Sequence, residues 1–496
     1  MSTTLDRPVL LAQRNRQGIV LGLDASQVVT IGLAAAILLL ASIGSGPLGA
    51  LGASAFALPL TAASLVRIGG VPAPRMAMLW LMKRVRHSVQ SGTVQLQRPE
   101  APRVLGTLNL PGHRANLQVW ELEEFAVVYD PTEKTASVTV ELEVPGFLMK
   151  DPAQRGDLSV QLSQVLATFT QREGIKRVML QERTHSSTLR PARDHYTSVR
   201  EASGMAIPEA VLRNYEQVMD AAEPFAVAHR NFITVTLDLS ASSRQIAALG
   251  RGRTGVQALA QLEVQTLVDG LTAAGIEVRS VLGARDLAAL VRLVVDPESA
   301  SDIQNRTGTN AGVALSGMGP AYLEEPRGKN GVVLTDSAAH TTMWIHEWPR
   351  SSAAVGFVEP IVFARHPVTH RAISHIFSIV MTPVPVAKAL KKVQKEKDAW
   401  SSNEKLRARR QRNDNAADNA DWIALENQEN ELVAGDGKFS YCGYLTVSAE
   451  SESELTESVA GMRSALSRAG MEAQILYCQQ AEALMVNALP TGLGMK

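Results

Sequence analysis

The sequence predicts an N-terminal transmembrane helical hairpin followed by a cytoplasmic α/β (α+β) body. Three observations lead to this fold class. Residues 25–66 contain no charged side chain, the chain beyond them is ordinarily charged, and a strand–helix–strand pattern recurs three times in that remainder. Together they predict repeated βαβ, ferredoxin-like modules and one long charged helical arm.

The uncharged stretch is long enough for two membrane crossings, because about 20 apolar helical residues span a bilayer core. The motif Gly44-Ser45-Gly46-Pro47 lies near its centre and marks a tight turn. We therefore predict two transmembrane helices at about 27–43 and 48–68. The alternative is a buried core hairpin of a soluble protein, although such helices usually carry polar residues on an outer face.

Basic residues flank this hairpin on both sides and are absent from its turn. They are Arg7, Arg14 and Arg16 before it, and Arg67, Arg75, Lys83, Arg84 and Arg86 after it. By the positive-inside rule, both termini and the body lie on the cytoplasmic side of the cytoplasmic (inner) membrane. The basic start also imitates a signal peptide, but a second apolar segment follows after four turn residues, so we expect an uncleaved hairpin.

Residues 76–82 combine Met, Leu and Trp80 with the basic cluster that follows. This composition predicts a helix that lies at the lipid headgroup level, or alternatively a core helix close to the membrane. The whole chain has 496 residues, which suggests two to four domains. Its 49 Lys and Arg balance 49 Asp and Glu, so any attraction for nucleic acid must be local.

The three strand–helix–strand copies make up most of the predicted body. Their first strands are 137–144, 232–239 and 440–449; their helices include 157–173, 264–271 and 455–466; their return strands are 175–182, 276–282 and 471–477. Gly174, Gly275 and Gly470 end the helices, which predicts a left-handed backbone at each. A parallel return strand defines a βαβ unit, and added antiparallel strands close it as a ferredoxin-like sandwich.

Less regular segments separate the second copy from the third. We predict strands at 331–334, 341–348 and 354–363, and an apolar segment at 374–382 that stops at Pro383. Residues 386–432 are charged and predict a helical arm that projects or folds back as a hairpin. The predicted domains are 1–92 (hairpin, lead-in and interfacial helix), 93–385 (α/β body), 386–432 (arm) and 433–496 (C-terminal βαβα module).

No motif for catalysis, cofactor binding or metal binding is complete. Gly250, Gly252 and Gly255 fit G-x-G-x-x-G, but a helix or loop precedes them where a dinucleotide site needs a strand. A P-loop, a nucleophile elbow and C-x-x-C are absent, and Cys442 and Cys478 predict core thiols, with a pair on adjacent strands as the alternative. We therefore predict no cofactor and no enzymatic activity.

Two clusters of residues are candidate binding sites. The histidines are His340, His346, His366, His370 and His375; they lack acidic partners at zinc spacing and predict loop and strand-edge positions. The candidate nucleic-acid or partner contacts are Lys405, Arg407, Arg409, Arg410 and Arg412. Acidic residues follow this basic run at once, which favours a solvated arm of mixed charge over direct nucleic-acid binding.

Several short segments follow one another in an order found in a known family. They are Tyr444-Leu445-Thr446-Val447, Glu454-Leu455, the Gly470 turn and Ala488-Leu489-Pro490. This order resembles the N-terminal, non-catalytic half of the conjugation and type IV secretion ATPases. The hairpin and its lead-in resemble the small two-helix membrane subunit that is sometimes fused to those ATPases. The chain is similar to an integral membrane protein family of Gram-positive conjugative elements that combines both pieces.

The resemblance implies a non-catalytic membrane component of a conjugation (DNA transfer) or type IV-like secretion apparatus. In the ATPases the nucleotide-binding domain begins just after the Leu-Pro, whereas this chain stops at Lys496, so it corresponds to an ATPase lacking the Walker A motif. The implied partners are a separate ATPase and other secretion-channel subunits in an oligomeric assembly. The alternatives are a membrane component of a type VII secretion core, or a membrane-anchored enzyme with an unrecognised site.

Overall fold

The computed structural model describes residues 24–89, 117–143, 146, 149–204, 207–326, 331–349, 355–385, 388–391, 393–395, 397–398, 426, 429 and 438–492. Its main helices are α1 (Ala25–Leu65), α2 (Ala73–Val89), α3 (Pro152–Thr170), α4 (Arg190–Ser203), α5 (Glu209–Ala222), α6 (Ser243–Ala248), α7 (Gly252–Ala273), α8 (Ala284–Val295), α9 (Ala300–Gln304), α10 (Glu359–Val362), α11 (Glu452–Arg468) and α12 (Gln480–Ala488). Its strands are β1 (Arg67–Ile68), β2 (Val71–Pro72), β3 (Gln118–Glu121), β4 (Ala126–Asp130), β5 (Thr135–Glu143), β6 (Ile175–Ser186), β7 (Val227–Asp238), β8 (Glu277–Val281), β9 (Leu323–Glu324), β10 (Val333–Thr335), β11 (Ala339–Glu347), β12 (His375–Val384), β13 (Lys438–Ala449) and β14 (Glu472–Ile475).

One long apolar N-terminal helical segment, α1, precedes a mixed α/β body that is built on a large antiparallel sheet. The sheet has twelve strands, with β3-β4-β5-β7-β6-β12-β13-β11-β10-β9 as its main order. Strand β8 pairs with β5, and β14 pairs with β11. Strands β1 and β2 form a separate antiparallel pair directly after α1.

The strand order is the same when the sheet is followed inward from either edge. One half reads β3-β4-β5-β7-β6 and the other reads β9-β10-β11-β13-β12. The additional strands also match, since β8 and β14 pair with equivalent strands of the two halves. The halves meet at the β6–β12 pairing, where Gln181 lies opposite Ser378.

The predicted return strands are present, but they are not direct neighbours of the strands that precede their helices. Helix α3 connects β5 to β6 with β7 between them, and α7 connects β7 to β8 with β5 between them. Helix α11 connects β13 to β14 with β11 between them. Each return strand is therefore parallel to its first strand only across an intervening antiparallel strand, and the first two predicted copies share one four-stranded unit.

Helices cover both faces of the sheet. Val127 and Val128 are successive residues of β4 and belong to different apolar cores, because side chains alternate between faces along a strand. One face packs against α3 and α7 through residues such as Phe169 and Leu267, and continues at the other half under α11. The opposite face packs against α8 and α12, which meet in a shared core that includes Leu290 and Leu484.

Two of the three predicted left-handed glycines are confirmed. Gly275 has a φ of 68° and Gly470 has a φ of 70°. The prediction is wrong for Gly174, which is not among the glycines of positive φ. Helix α3 already ends at Thr170, and a Cβ at position 174 would lie 2.7 Å from Ser242 Oγ, so the glycine leaves room for that hydroxyl.

The predicted strand at 354–363 is wrong, and the apolar segment predicted to stop at Pro383 extends beyond it; each difference involves a proline. Described residues of 354–363 form turns and α10, where Pro360 lies in the first turn and has no amide hydrogen to satisfy. Strand β12 continues through Pro383 to Val384 instead of stopping before it. Because β6 pairs with β12 only as far as Met381, Pro383 lies on a stretch bordered by β13 alone, where a proline is tolerated.

Little of the predicted arm, 386–432, lies within the described residues. The described positions 388–391, 393–395, 397–398, 426 and 429 are all helical. Lys397 forms an ion pair with Glu429, 32 residues further on, so these two parts of the segment meet. Ala389 and Val393 are buried beside Val384.

Candidate membrane site and its junction with the body

Helical segment α1 reverses direction at Gly46. Gly46 has φ 64° and ψ −154°, which breaks the helical backbone directly before Pro47. The Gln27 Nε2 atom donates a hydrogen bond of 2.8 Å to Ser64 O, 37 residues away. A straight helix of 41 residues would be about 60 Å long, so this bond requires the two halves to lie side by side. The second half ends at Leu65, three residues before the predicted end at 68.

The contact between the two halves is made mainly of small residues. A series of buried and half-buried positions recurs at alternating spacings of four and three residues on each side of the turn. The series is Gln27, Ile31, Ala34, Leu38 and Ala41, followed by Ala50, Ala53, Ala57, Leu60 and Ser64. Ala34 and Ala57 are the most deeply buried apolar members, at 2% and 1% exposure. Small side chains allow two helices to approach closely in an apolar solvent.

The outer surface of α1 is apolar and exposed. Its exposed large side chains are Val29, Leu33, Ile37, Leu39, Leu40, Ile43, Leu48, Leu51, Phe56, Leu58 and Leu65. Of the residues in its most apolar window, only 6% are buried, which is unlike the core helix of a soluble protein. Among the described residues, α1 is the one helix long and apolar enough to cross a membrane, a criterion that an N-terminal signal sequence would also meet.

The base of α1 packs against the C-terminal part of the body. Gly69, in the β1–β2 turn, accepts a hydrogen bond of 3.2 Å at its carbonyl oxygen from Gln474 Nε2 on β14. A Cβ at Gly69 would lie 2.6 Å from the ring of Tyr477, so the turn and the ring are in close contact. On α2, Lys83 is 5% exposed and its Nζ donates to Pro326 O at 3.2 Å. These contacts fix the apolar segment to the body.

A buried polar network joins the two halves of the sheet to α12. Gln181 Nε2 donates to Ser378 Oγ at 3.0 Å and to Asn487 O at 2.7 Å. Asn487 Nδ2 donates in turn to Ile376 O and to Thr446 Oγ1, both at 3.0 Å. Because each buried polar atom left unpaired would destabilise the fold, this network holds α12 in one position over the β6–β12 seam.

Arg183 lies beside this seam and is 4% exposed. Its guanidinium donates to Leu290 O on α8 at 2.9 Å, to Ala488 O on α12, and to Gln181 Oε1 at 2.7 Å. Burial, together with the charge of Arg230, lowers the pKa of Arg183 to about 9, which leaves it charged at neutral pH. The Arg183 guanidinium, on β6, therefore links α8 to α12.

The Leu489-Pro490 segment follows α12 directly. Leu489 is fully buried, and Pro490 O accepts a hydrogen bond of 3.0 Å from Thr139 Oγ1. Thr491 O accepts from Ser137 Oγ at 3.0 Å and from Thr236 Oγ1 at 2.9 Å. The chain after α12 thus crosses the polar face of β5 and β7.

One buried ionisable cluster lies at the end of the seam. Glu182 is 3.2 Å from His229 Nδ1 and 3.2 Å from His375 Nε2, and it accepts a hydrogen bond of 2.6 Å from Thr184 Oγ1. Burial alone would raise the pKa of Glu182, but the charge of His375 and these hydrogen bonds outweigh it and lower the pKa to about 2. His375 Nδ1 lies 2.7 Å from Ile373 O, which orients the imidazole toward the carboxylate.

The histidines that cluster in the sequence do not converge in space. His340 is buried between Thr335 Oγ1 and Ser448 Oγ, each at 2.8 Å, and burial lowers its pKa to about 3. His366 lies 3.3 Å from Glu457, in a turn rather than on the helix that its spacing to His370 would suggest. Among the described residues, the group with ligand atoms close enough to hold a metal is His346, Glu347 and Glu472.

The other sequence motifs have structural roles or lie outside the described residues. Gly255 of the G-x-G-x-x-G motif lets α7 approach α6, since a Cβ there would lie 2.3 Å from Ile246 O. The two cysteines are free thiols. The basic run from Lys405 to Arg412 lies outside the described residues, as do the hairpin lead-in and residues 90–116.

Two open clefts lie on the body, and each contains a paired cation and carboxylate. In the first, Arg172 contacts Glu263 at 2.5 Å. In the second, Arg155 contacts Glu359 at 3.0 Å. Sequence reasoning also missed α4 and α5, whose stacked Tyr196 and Tyr215 rings lie 4.0 Å apart.

Compared with known proteins, the chain matches no protein-family model and no curated protein. The class that the structure defines is an antiparallel α/β body with a long apolar N-terminal helical segment.

Proposed function

We propose that this protein is a non-catalytic membrane component of a conjugation or type IV-like secretion apparatus, which anchors and docks a separate ATPase at the cytoplasmic membrane. The observation that carries the membrane part is the arrangement of α1. Its small residues face inward at Ala34 and Ala57, while large apolar residues such as Leu40 and Phe56 face outward. A soluble domain rarely exposes so large an apolar surface, whereas a lipid-embedded hairpin requires one.

The hairpin crosses the membrane twice and leaves both termini in the cytoplasm. Each half of α1 has about 20 residues, which matches the thickness of a bilayer core. Basic residues follow the second half and none lies at the Gly46 turn, which favours a cytoplasmic body. The Gln27–Ser64 hydrogen bond supports this pairing, since polar groups in lipid must be satisfied within the protein.

The body supplies the docking platform. Its two halves have the strand orders β8-β5-β7-β6 and β14-β11-β13-β12, which correspond to two repeated ferredoxin-like modules that meet at β6 and β12. The ATPases that the chain resembles continue into a nucleotide-binding domain after a Leu-Pro segment. Here that segment, Leu489-Pro490, is held on the body by Thr139 at Pro490 O and by Arg183 at the preceding Ala488 O. A partner ATPase and further channel subunits would then assemble against this body in an oligomer.

The test is co-purification from crosslinked membranes with the full-length chain as bait. We expect an ATPase with an intact Walker A motif to be recovered with the bait. The matched control is a bait with Leu40→Arg and Phe56→Arg, which cannot insert and should lose both the membrane fraction and the partner. If crosslinked membranes that contain the inserted bait yield no such ATPase, this result counts against the secretion role. It leaves membrane insertion of the chain unaffected.

A further inference from the structure

Helix α2 carries an exposed apolar stripe that no part of the described chain covers. Met78, Leu81, Met82 and Val85 are 57%, 58%, 44% and 52% exposed. Their spacing of three, four and seven residues places all four on one face of the helix, because successive residues turn by about 100°. In sequence the stripe follows the apolar exterior of α1, with the β1–β2 pair between them.

The opposite face of α2 is attached to the body. Lys83 is buried there and donates to Pro326 O. A rotation of about 100° per residue places Lys83 roughly opposite the centre of the stripe. This bond links the face of α2 that points away from the stripe to the body. The start of α2 is also fixed to the end of α1, because Ala73 N donates to Val66 O at 2.9 Å.

Arginines border the stripe on both sides. By the same helical geometry Arg75 lies on one flank and Arg84 on the other, and both are exposed. Arg84 also lies over the Trp80 ring, 4.6 Å from its centroid. An apolar face between basic flanks, with an aromatic ring beside one of them, suits a helix that lies in the plane of a membrane interface.

We propose that α2 lies on the cytoplasmic leaflet, with the Leu81 stripe in the acyl–headgroup boundary and Arg75 and Arg84 on anionic lipid phosphates. This inference rests on membrane insertion of α1. Continuity with α1 and the complementary charge of the flanks favour lipid over a protein partner at this face. The helix then sets the tilt and height of the body above the membrane, in addition to the anchor itself.

The test uses the full-length protein in nanodiscs, with neutral lipid alone or with one third anionic lipid. Nitroxide labels are placed at single cysteines, Leu81→Cys or Leu40→Cys, after Cys442 and Cys478 are changed to Ala. Val211→Cys on α5, which is 52% exposed, is the aqueous control with an exposure similar to that of Leu81. Collision rates with oxygen and with a water-soluble nickel chelate report the depth of each label.

We expect the Leu81 label to behave like the Leu40 label. For both labels, the ratio of the oxygen collision rate to the nickel-chelate collision rate should be at least threefold higher than for the Val211 label. Anionic lipid should deepen the Leu81 label, and Arg75→Gln with Arg84→Gln should abolish that gain. An aqueous Leu81 beside a buried Leu40 overturns the α2 proposal and leaves the anchor intact, whereas two aqueous labels overturn both.

A second measurement guards against misfolding of the cysteine-free chain. A photoreactive benzoylphenylalanine at Leu81, in the otherwise native sequence, should form lipid adducts that are detected by mass spectrometry. Adducts to a second protein chain in place of lipid would overturn the proposal. It would also be overturned if neither the depth of the Leu81 label nor the yield of lipid adducts responded to anionic lipid.

Discussion

The Gln27 side-chain amide donates a hydrogen bond to the main-chain oxygen of Ser64, at the open end of α1. Both residues are buried, although neither belongs to the body of the protein. The bond joins two residues that are 37 positions apart in the sequence, and the turn between them lies at Gly46. It joins the ends of the two paired helices, which pack along the small residues between this bond and the turn.

The packing of the pair should depend on Ala34. Ala34→Leu adds three carbons at a position that is 2% exposed, which should destabilise the pair by about 1–3 kcal/mol through overpacking. Disulfide formation between Ile31→Cys and Leu60→Cys, in a background without other cysteines, should fall several-fold. The control, Ala36→Leu, makes the same change at an exposed position and should leave the yield unchanged. Equal yields in the two variants would contradict the paired arrangement.

The junction between anchor and body should depend on Gly69. Gly69→Ala imposes a Cβ both on a φ of 57° and on the Tyr477 ring, and it should lower the melting temperature of the body. Gly204→Ala, with a φ of 59° and open space around it, should show the backbone strain alone, about 1 kcal/mol. Tyr477→Ala should rescue part of the difference. A melting temperature of Gly69→Ala equal to that of Gly204→Ala would mean that the turn does not rest on the ring.

The packing of α12 on the sheet should be less stable when Arg183 is replaced. Arg183→Met leaves acceptors on Leu290, Ala488 and Gln181 without their donor, which should cost about 3–5 kcal/mol in the free energy of unfolding. Arg213→Met, at a side chain that is 68% exposed, should change stability by less than about 0.5 kcal/mol. Chemical denaturation monitored by circular dichroism compares the two. A similar small effect for both would show that the guanidinium is not a structural tie.

Acid should destabilise the body through His340. Burial lowers its pKa from the ordinary 6.5 to about 3 in the folded protein, so the unfolded chain binds more protons between these values. Stability therefore falls as pH decreases from about 6.5 toward 3, by up to roughly 4 kcal/mol. His340→Gln should reduce the fall of the melting temperature across this range, while exposed His195→Gln should not. Parallel pH profiles for wild type and His340→Gln would contradict this assignment.

Local chemistry explains why parts of the fold were predictable. The absence of charge in 25–66 predicts a long apolar helical segment, and the Gly-Pro dipeptide predicts its break, which the structure has at Gly46. The alternation of apolar residues predicted most of the strands. Gly275 and Gly470 were recognisable because a left-handed turn leaves a mark in a single residue.

Contacts distant in sequence were not predictable in the same way. Gln181 pairs with Ser378 and Arg183 reaches Ala488, and nothing near either residue in the sequence indicates the partner. The insertion of β7 between β5 and β6 is likewise a property of strand pairing, because amphipathic periodicity fixes which face is buried and not which strand is adjacent. Glu182 and its two histidines lie on three different strands, so their cluster had no sequence signal.

The central claim is that α1 crosses the membrane twice and leaves the body in the cytoplasm. Single cysteines at Ser45, in the turn, and at Val211, on the body, test it with a membrane-impermeant thiol reagent on intact protoplasts. We expect Ser45→Cys to be labelled in intact protoplasts and Val211→Cys to be labelled only after permeabilisation. Labelling of Val211→Cys in intact protoplasts, or of Ser45→Cys only after permeabilisation, would contradict it.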